Sequence, residues 1–154
     1  MNALSQNIDL ANKEPILPKL SISTGSLKTD YIVNNRPIQA LVFSPKLEIG
    51  GNVNLHIGGN IFVTDSGSYD SVKRTQGNLE IGLSAEKHLT NQPFYIKGGY
   101  LLRPSDSKGH RLFAQFGIEF IELVDFHIIA SRFYDRKDIL SGNILEFGVR
   151  LKLK

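Results

Sequence analysis

Beyond Pro18, the dominant signal in the chain is a strict alternation of apolar and polar residues. The last segment, 143–154, shows it most clearly. Its apolar side chains occupy every second position, and Glu146, Arg150 and Lys152 lie between them: the apolar set is Leu145, Phe147, Val149, Leu151 and Leu153. A helix would distribute these charges around its axis, whereas a strand collects them on one face. The pattern therefore predicts a β-strand with one apolar and one polar face.

The same alternation predicts seven further strands. They span residues 19–27, 38–49, 53–63, 78–88, 94–103, 111–121 and 124–134. No helical period of useful length is present. Eight strands would place over half of the chain in sheet, well above the usual 20–25% or so. Such an excess favours a closed architecture, because closure removes edge strands that would otherwise aggregate. We predict an all-β fold: a single up-and-down antiparallel β-barrel, with eight strands.

The predicted connections differ in length in a regular way. Residues 28–37 and 64–77 form long connections, whereas 50–52 and 122–123 are short. Long loops at one rim and tight turns at the other are typical of transmembrane barrels.

The predicted domain organisation is a short polar N-terminal arm, residues 1–18, followed by a barrel domain, residues 19–154. The arm lacks the basic start and apolar run of a secretory signal. The location predicted below therefore assumes that the signal peptide needed for export is not included in the sequence given.

Glycines on the polar face indicate which side of the barrel points inward. Five of them lie near the middle of their strands: Gly58, Gly82, Gly99, Gly117 and Gly148. A strand exposed to water gains nothing from glycine, whereas a crowded interior needs small residues beside long ones. We therefore expect the polar face inside and the apolar face outside, against lipid. The alternative is a soluble lipocalin-like barrel, with the apolar face inside around a hydrophobic ligand and the glycines at bends.

The apolar faces are long enough for a lipid-facing band, since a tilted membrane strand needs about 9–11 residues. The residues predicted to face lipid are Leu112, Phe116, Ile118, Phe120, Leu145, Phe147, Val149 and Leu151. Aromatic residues near strand ends are predicted to lie at the membrane interfaces: Phe94, Tyr100, Phe120, Phe133 and Tyr134.

In strand pattern, strand count and loop alternation, residues 19–154 resemble the small eight-stranded outer-membrane β-barrels of Gram-negative bacteria. The ending Glu146-Phe-Gly-Val-Arg-Leu-Lys-Leu-Lys154 is similar to the terminal strand by which such barrels are recognised for assembly. It departs from that pattern at Lys154, where the family usually has an aromatic residue. The resemblance implies an outer-membrane location. It also implies contact with the lipid bilayer, with lipopolysaccharide as a candidate partner and other envelope proteins as further ones.

Composition excludes several functions. The absence of Cys rules out disulfide scaffolds, Cys-zinc sites and thiol catalysis. No segment approaches the roughly 18 apolar residues of a transmembrane helix. The pI near 9.2 reflects Lys and Arg spread along the chain, which gives no reason to expect a nucleic-acid partner.

The predicted interior carries charges of both signs. Its members are Glu80, Glu86, Lys97, Arg103, Glu119, Asp125, His127, Glu146, Arg150 and Lys152. Buried charges are tolerated when they are paired and hydrogen-bonded. We expect a salt-bridge network that fills the barrel and leaves no wide pore. A narrow, gated ion path is the alternative.

Three residues on one strand face are candidates for catalysis: Ser84, Glu86 and His88. They are the residue types of a nucleophile with its base and orienting carboxylate. Residues i and i+2 of a strand lie roughly 6.6–7 Å apart, however, whereas proton transfer needs contacts of about 2.6–3.2 Å. The His-x-Ser pairing of the barrel deacylases is absent.

The sequence shows no metal site, because His56, His88, His110 and His127 lie in four separate segments without ligand spacing. No cofactor motif is present either. We predict a small integral outer-membrane barrel without enzymatic activity, which acts through its loops or as an accessory subunit of an envelope complex. An outer-membrane lipid-modifying enzyme is a third reading, after the lipocalin-like barrel.

Overall fold

The computed structural model describes residues 16–33, 35–64, 75–104, 109–134 and 141–153. Eight strands pair in sequence order, each antiparallel to the next, and β8 pairs with β1 to close the barrel. The strands are β1 (Lys19–Val33), β2 (Arg36–Gly50), β3 (Val53–Thr64), β4 (Thr75–His88), β5 (Phe94–Leu102), β6 (His110–Ile121), β7 (Val124–Tyr134) and β8 (Gly142–Lys152). The predicted up-and-down antiparallel barrel of eight strands is confirmed. No helix in the described part of the chain is long and apolar enough to cross a membrane.

The strands are staggered around the barrel. Directly paired residues, followed strand by strand from Lys19, lead back to β1 at Thr29, ten residues further along. A stagger of this kind inclines the strands to the barrel axis, by about 35–45° in typical barrels. With eight strands, the bore is just wide enough to be filled by side chains.

The two ends of the barrel differ. At one end, here called the turn end, lie the start of β1, the end of β8 and the connections 51–52, 89–93 and 122–123. At the other end, the loop end, lie the connections 34–35, 65–74, 103–109 and 135–141. Three of the four connections at the loop end are therefore longer than any at the turn end.

The first hairpin corrects one sequence-based prediction. Residues 28–37 were expected to form a long loop, but β1 continues to Val33, which pairs with Arg36. Only residues 34 and 35 separate the two strands, and Asn35 has a φ of 62°, a left-handed conformation that Asn tolerates better than most residues. The register shifts between Lys28 and Ile32. This bulge interrupts the alternation and hides the strand from a period-two pattern.

Most of the predicted N-terminal arm lies outside the described residues. Residues 16–18 are described and lead into β1. The Pro18 carbonyl accepts a hydrogen bond from the Leu153 backbone N–H at 2.8 Å. This bond holds the two ends of the barrel domain side by side.

The alternation of the sequence becomes an alternation of burial. In β6, for example, Arg111, Phe113 and Gln115 are buried, and Leu112 and Phe116 are exposed. The polar face therefore points into the barrel and the apolar face points out.

Inward-facing glycines make room for large neighbours. A Cβ atom on Gly117 would lie 2.0 Å from the Tyr95 ring, and one on Gly99 would lie 2.6 Å from the Phe113 ring. These contacts are far closer than packed atoms allow. Two of the predicted interior glycines thus provide the space that aromatic side chains occupy.

The interior is not polar throughout. Toward the loop end it contains a cluster of buried apolar side chains that we call the apolar cap: Leu27, Ala40, Val42, Phe62, Phe133 and Ile144. Phe133 was predicted to lie at a membrane interface, but it is fully buried inside the barrel. Phe133 was assigned to the interface because it lies next to the end of its strand. Its position in the alternation, however, directs its side chain into the barrel.

Candidate functional site

The barrel interior is the candidate functional site, because it concentrates the charged side chains. Among the described residues, the buried charged side chains are six cations, Lys19, Lys46, Lys97, Arg103, Arg111 and Arg150, and five anions, Glu48, Glu80, Glu86, Asp125 and Glu146. Ten of them come from seven of the eight strands, β3 being the exception, and Arg103 directly follows β5. Pairing across the bore therefore ties distant strands together.

Arg150 is the centre of the group nearest the turn end, the Arg150 cluster (Arg150, Asp125, Glu86, Glu48 and Lys97). Its Nε donates to Asp125 Oδ2 at 2.7 Å and its Nη1 donates to Glu86 Oε2 at 2.5 Å. The guanidinium carbon lies 4.1 Å from the centroid of the Tyr95 ring. Arg150 itself is fully buried. Two carboxylates and an aromatic face thus replace the water that the cation loses on burial.

Lys97 completes the Arg150 cluster from the opposite wall. Its Nζ lies 2.5 Å from Glu48 Oε2 and 3.3 Å from Glu86 Oε2. Lys19 adds a further contact to Glu86, at 3.5 Å. Together with Lys19, the cluster holds three cations and three carboxylates, so its formal charge is zero when all are ionised.

A second group, the Arg111 cluster (Arg111, Glu146, Glu80, Lys46 and Asn60), lies between the Arg150 cluster and the apolar cap. Arg111 Nη2 pairs with Glu146, and Nη1 donates to Asn60 Oδ1 at 3.1 Å. Glu80 lies 3.5 Å from Arg111 and 3.7 Å from Lys46. Two cations again face two carboxylates.

Arg103 links the charged region to the apolar cap. Its guanidinium carbon lies 4.2 Å from the centroid of the Phe133 ring, which belongs to the cap. Stacking on an aromatic face is a favourable arrangement for a buried guanidinium.

The catalytic candidates Ser84, Glu86 and His88 do not form one constellation. His88 Nε2 lies 2.9 Å from Glu86 Oε1. Ser84 instead contacts His56 on the neighbouring strand, with 2.6 Å between Oγ and Nε2. His56 Nδ1 in turn lies 4.0 Å from Glu48.

Ser84, His56 and Glu48 thus have the order of a nucleophile, a base and a carboxylate. All three are at most 4% exposed and face the filled interior. A substrate has no access to the Ser84 hydroxyl in this arrangement. The contact is best explained as hydrogen bonding that satisfies buried polar groups.

Ten residues were predicted to lie in the charged interior, and eight of them are buried inside the barrel: Glu80, Glu86, Lys97, Arg103, Asp125, His127, Glu146 and Arg150. The other two, Glu119 and Lys152, are partly exposed at the turn end, where Lys152 Nζ lies 2.6 Å from Glu119 Oε1. His127 makes no ion pair with the other nine among the described contacts. Its ring instead occupies the space above Gly148, where a Cβ atom would lie 2.5 Å from Nε2.

The residues predicted to face lipid all point away from the interior. Leu112, Phe116, Ile118, Phe120, Leu145, Phe147 and Leu151 are exposed on the outer face. Val149, the eighth, is on the same face and is half-buried.

Four network residues were not among the predicted set: Lys19, Lys46, Glu48 and Arg111. The alternation contained the signal for three of them. Lys46 and Glu48 lie between apolar Leu47 and its neighbours on β2, and Arg111 precedes outward-facing Leu112 on β6. Applying the same alternation of inward-facing and outward-facing positions to every charged residue would have placed these three inside the barrel.

Aromatic side chains border the outer apolar face. Toward the turn end, Phe94 stacks on Phe116 with 5.6 Å between ring centroids. Toward the loop end, His110 lies between Tyr100 and Tyr134, at 5.6 and 5.1 Å. Aromatic girdles at both edges of an apolar band are typical of membrane barrels.

The described residues contain no group of three or more His, Asp or Glu side chains placed to hold a metal ion. His56 lies near Glu48, and His88 lies near both Glu86 and Glu119. The arrangement provides charge pairing rather than a ligand cage.

No family model and no curated protein matches the chain. Among solved structures, the crystal structure of Neisserial surface protein A (NspA) is similar, with a TM-score of 0.64 and 12% sequence identity. The superposition covers 89% of this chain and 97% of that one. The likeness extends over nearly the whole of both molecules, so this chain has the small eight-stranded barrel fold seen in that surface protein.

Proposed function

We propose that the protein is a small integral outer-membrane β-barrel without enzymatic activity. It acts through the connections at its loop end, or as an accessory subunit of a larger envelope complex. Its lumen is filled by salt-bridged side chains, so the barrel has no wide pore for ions or solutes.

One observation supports this proposal above the others: the facing of the barrel is inverted relative to a soluble protein. Its charged residues are buried, while large apolar residues cover the outside. Phe147 is 55% exposed and Phe120 is 70% exposed. Soluble monomers rarely expose contiguous apolar patches beyond a few hundred Å². Lipid is the environment in which such an outer face is stable.

The unequal ends support an orientation as well as a location. Outer-membrane barrels have short periplasmic turns and longer extracellular loops. By that rule the turn end, with both ends of the barrel domain, faces the periplasm. The longer connections 65–74, 103–109 and 135–141 face outward and provide the interaction surface. NspA, which has the same fold, is described as a surface protein.

The two other readings fit the geometry less well. A lipocalin-like carrier needs an apolar interior with room for a ligand, but here Arg111, Arg150 and their carboxylates occupy the bore. A lipid-modifying enzyme needs a reachable nucleophile, but Ser84 is only 4% exposed.

The inverted facing can be tested directly because the chain contains no Trp. We would introduce a single Trp by Phe116→Trp on the outer face or by Phe113→Trp on the inner face of the same strand. The full chain is refolded into vesicles that contain lipids brominated in their acyl chains. We expect bromine to quench the fluorescence of the first variant strongly and that of the second weakly.

Two controls accompany this measurement. A change in mobility between heated and unheated samples on SDS gels verifies that each variant is folded in lipid. Equal quenching at both positions, or a wild-type protein that stays monodisperse in buffer without detergent, would contradict the proposed membrane location.

A further inference from the structure

A groove crosses the apolar outer face of the barrel. Its floor is a row of small outward-facing residues: Ala85 on β4, Gly98 on β5, Ala114 on β6 and Ala130 on β7. Each is the direct cross-strand partner of the next. Leu145 on β8 and Ser26 on β1 continue the row. Larger exposed side chains flank the row on both sides, among them Ile96, Phe116 and Ile128, so the row forms a depression.

The depression consists of two adjoining parts of about 720 and 650 Å³, which share Ala114 and Ala130. Leu112 and Leu145 line the first part, and Ile96, Phe116 and Ile128 line the second. The depression is shallow and open on its outer side along its whole length, so a bound chain would lie along the barrel wall. Apart from Lys87 near the turn end, the outward-facing side chains that line the second part are apolar, as an acyl chain requires.

The groove ends in polar and cationic groups near the loop end. Lys28, Arg132 and Asn143 line the first part beside its apolar floor. Lys28 is exposed, and it makes no ion pair within the described part of the chain. Arg132 Nη1 donates to Asn143 Oδ1 at 3.2 Å and also pairs with Asp30. We call Lys28, Arg132 and Asn143 the polar cap of the groove.

The stagger of the strands gives the groove its direction. Directly paired residues move toward the loop end from β4 to β8, because the same progression carries Lys19 to Thr29 around the barrel. The floor therefore begins near the turn end of β4 at Ala85 and rises obliquely to the polar cap. It crosses the apolar band and stops where the outer face becomes polar. This is the path of a lipid whose chain lies in the band and whose headgroup lies at the interface.

We propose that this groove binds one acyl chain of an anionic, phosphate-bearing lipid, with the phosphate held at the polar cap. Lys28 supplies a positive charge that pairs with no carboxylate in the described part of the chain. Arg132 lies beside it and adds further N–H groups, although Asp30 balances its charge. The net negative charge of an anionic phosphate lipid complements the positive charge of this cap. In a zwitterionic headgroup, the cation of the same headgroup already balances the phosphate. The inference rests on the proposed function, since it requires the barrel to lie in a membrane.

The test uses the full chain in phosphatidylcholine nanodiscs that contain phosphatidylglycerol as the anionic probe. Native mass spectrometry after mild delipidation counts the lipids that remain bound. We expect the wild-type protein to retain one phosphatidylglycerol in preference to phosphatidylcholine. Ala130→Leu fills the floor and should lower the retained fraction at least fivefold. Lys28→Ala should keep a bound lipid but abolish the preference for phosphatidylglycerol.

Matched controls separate the groove from general effects. Val63→Leu enlarges an outward-facing residue on β3, outside the groove, and Arg36→Ala removes a cation at the loop end, also outside it. Both should retain lipid as the wild type does. Equal retention of the two lipids by the wild type, or full retention by Ala130→Leu, would overturn the inference.

Two further readouts distinguish the ways in which the test can fail. A protein without heat-dependent mobility, which fails to enter nanodiscs, contradicts the proposed function itself. A protein that inserts but retains no lipid contradicts only the groove. Because the chain has no Cys, Ala114→Cys reports on a second copy: efficient oxidative dimer formation between inserted chains would assign the groove to protein contact and overturn the lipid proposal.

Discussion

Arg150 shows how individual residues make a charged interior stable. Burying an ion costs several kcal/mol or more, and only close partners offset that cost. Arg150 contacts Asp125, Glu86 and, at 3.5 Å, Glu48, and it stacks on Tyr95. Removing the cation would leave the three carboxylates of the cluster facing two cations, Lys97 and Lys19, so one buried negative charge would lose its compensation within the cluster.

We therefore expect Arg150→Met to destabilise the folded barrel by about 3–5 kcal/mol, the usual cost of breaking a buried ion pair. Arg132→Met is the matched control, because Arg132 also pairs with a carboxylate, Asp30, but on the exposed outer face. Its loss should change the free energy of unfolding by about 0–1 kcal/mol. The measurement is urea unfolding in vesicles, read as the fraction of the compact form on unheated SDS gels. Equal effects of the two substitutions would show that the Arg150 cluster is not a stabilising network.

At the residue scale, the sequence predicts the direction of a side chain but not its partners. Alternation alone places Ser84 and Glu86 inside. That Ser84 meets His56, and that Glu86 meets Arg150 across the bore, depends on the strand order and the stagger. These are properties of the closed barrel, and no local pattern carries them. The apolar cap was not predicted, for a related reason. Phe62 and Phe133 are apolar like the outward-facing residues, and only their odd or even position in the strand shows that they point inward.

At the scale of elements, seven of the eight predicted strands match the observed ones to within three residues at each end. Period two is a strong signal there because each strand has two contrasting environments. β1 differs, since it extends six residues beyond its predicted end at residue 27. Within and directly after the bulge, Asp30, Tyr31 and Ile32 are all exposed, so burial no longer alternates there. Where a strand extends beyond the apolar band, its outer face is no longer apolar. The contrast between an apolar outer face and a polar inner face, on which the prediction depends, is then lost.

The turn of the β1–β2 hairpin gives a test at this scale. Asn35 has a φ of 62°, which a β-branched residue adopts only under strain. Asn35→Val should lower the free energy of unfolding by about 1–3 kcal/mol. Asn35→Gly, the matched substitution at the same site, should be neutral or stabilising, because glycine adopts positive φ without a steric penalty. Urea unfolding in vesicles compares the two variants. If valine were tolerated as well as glycine, the tight turn would not be required, and the longer loop expected from the sequence would regain support.

At the scale of the whole molecule, three successive layers follow one another along the interior. A smaller apolar cluster, Leu101, Phe113 and Ile129, lies beside them on the wall that β5, β6 and β7 form. The Arg150 cluster lies nearest the turn end, the Arg111 cluster follows, and the apolar cap lies toward the loop end. A charged layer alone could admit water and ions, and an apolar layer alone could open by thermal motion of a few side chains. Their combination closes the bore by two independent means, one electrostatic and one by packing.

This arrangement predicts the behaviour of the barrel in a planar lipid bilayer. We expect the wild-type protein to produce no large, stable conductance steps, because charged side chains fill the bore and the apolar cap excludes water from its loop end. The double substitution Phe62→Ala and Phe133→Ala removes the two largest side chains of the cap. It should still produce no wide pore, because the Arg111 and Arg150 clusters remain beneath it. A 16-stranded porin, which has an aqueous channel, serves as the positive control for insertion and recording. Large, stable steps from the wild-type protein would contradict the filled lumen, and steps that arise only in the double variant would show that the cap alone is the seal.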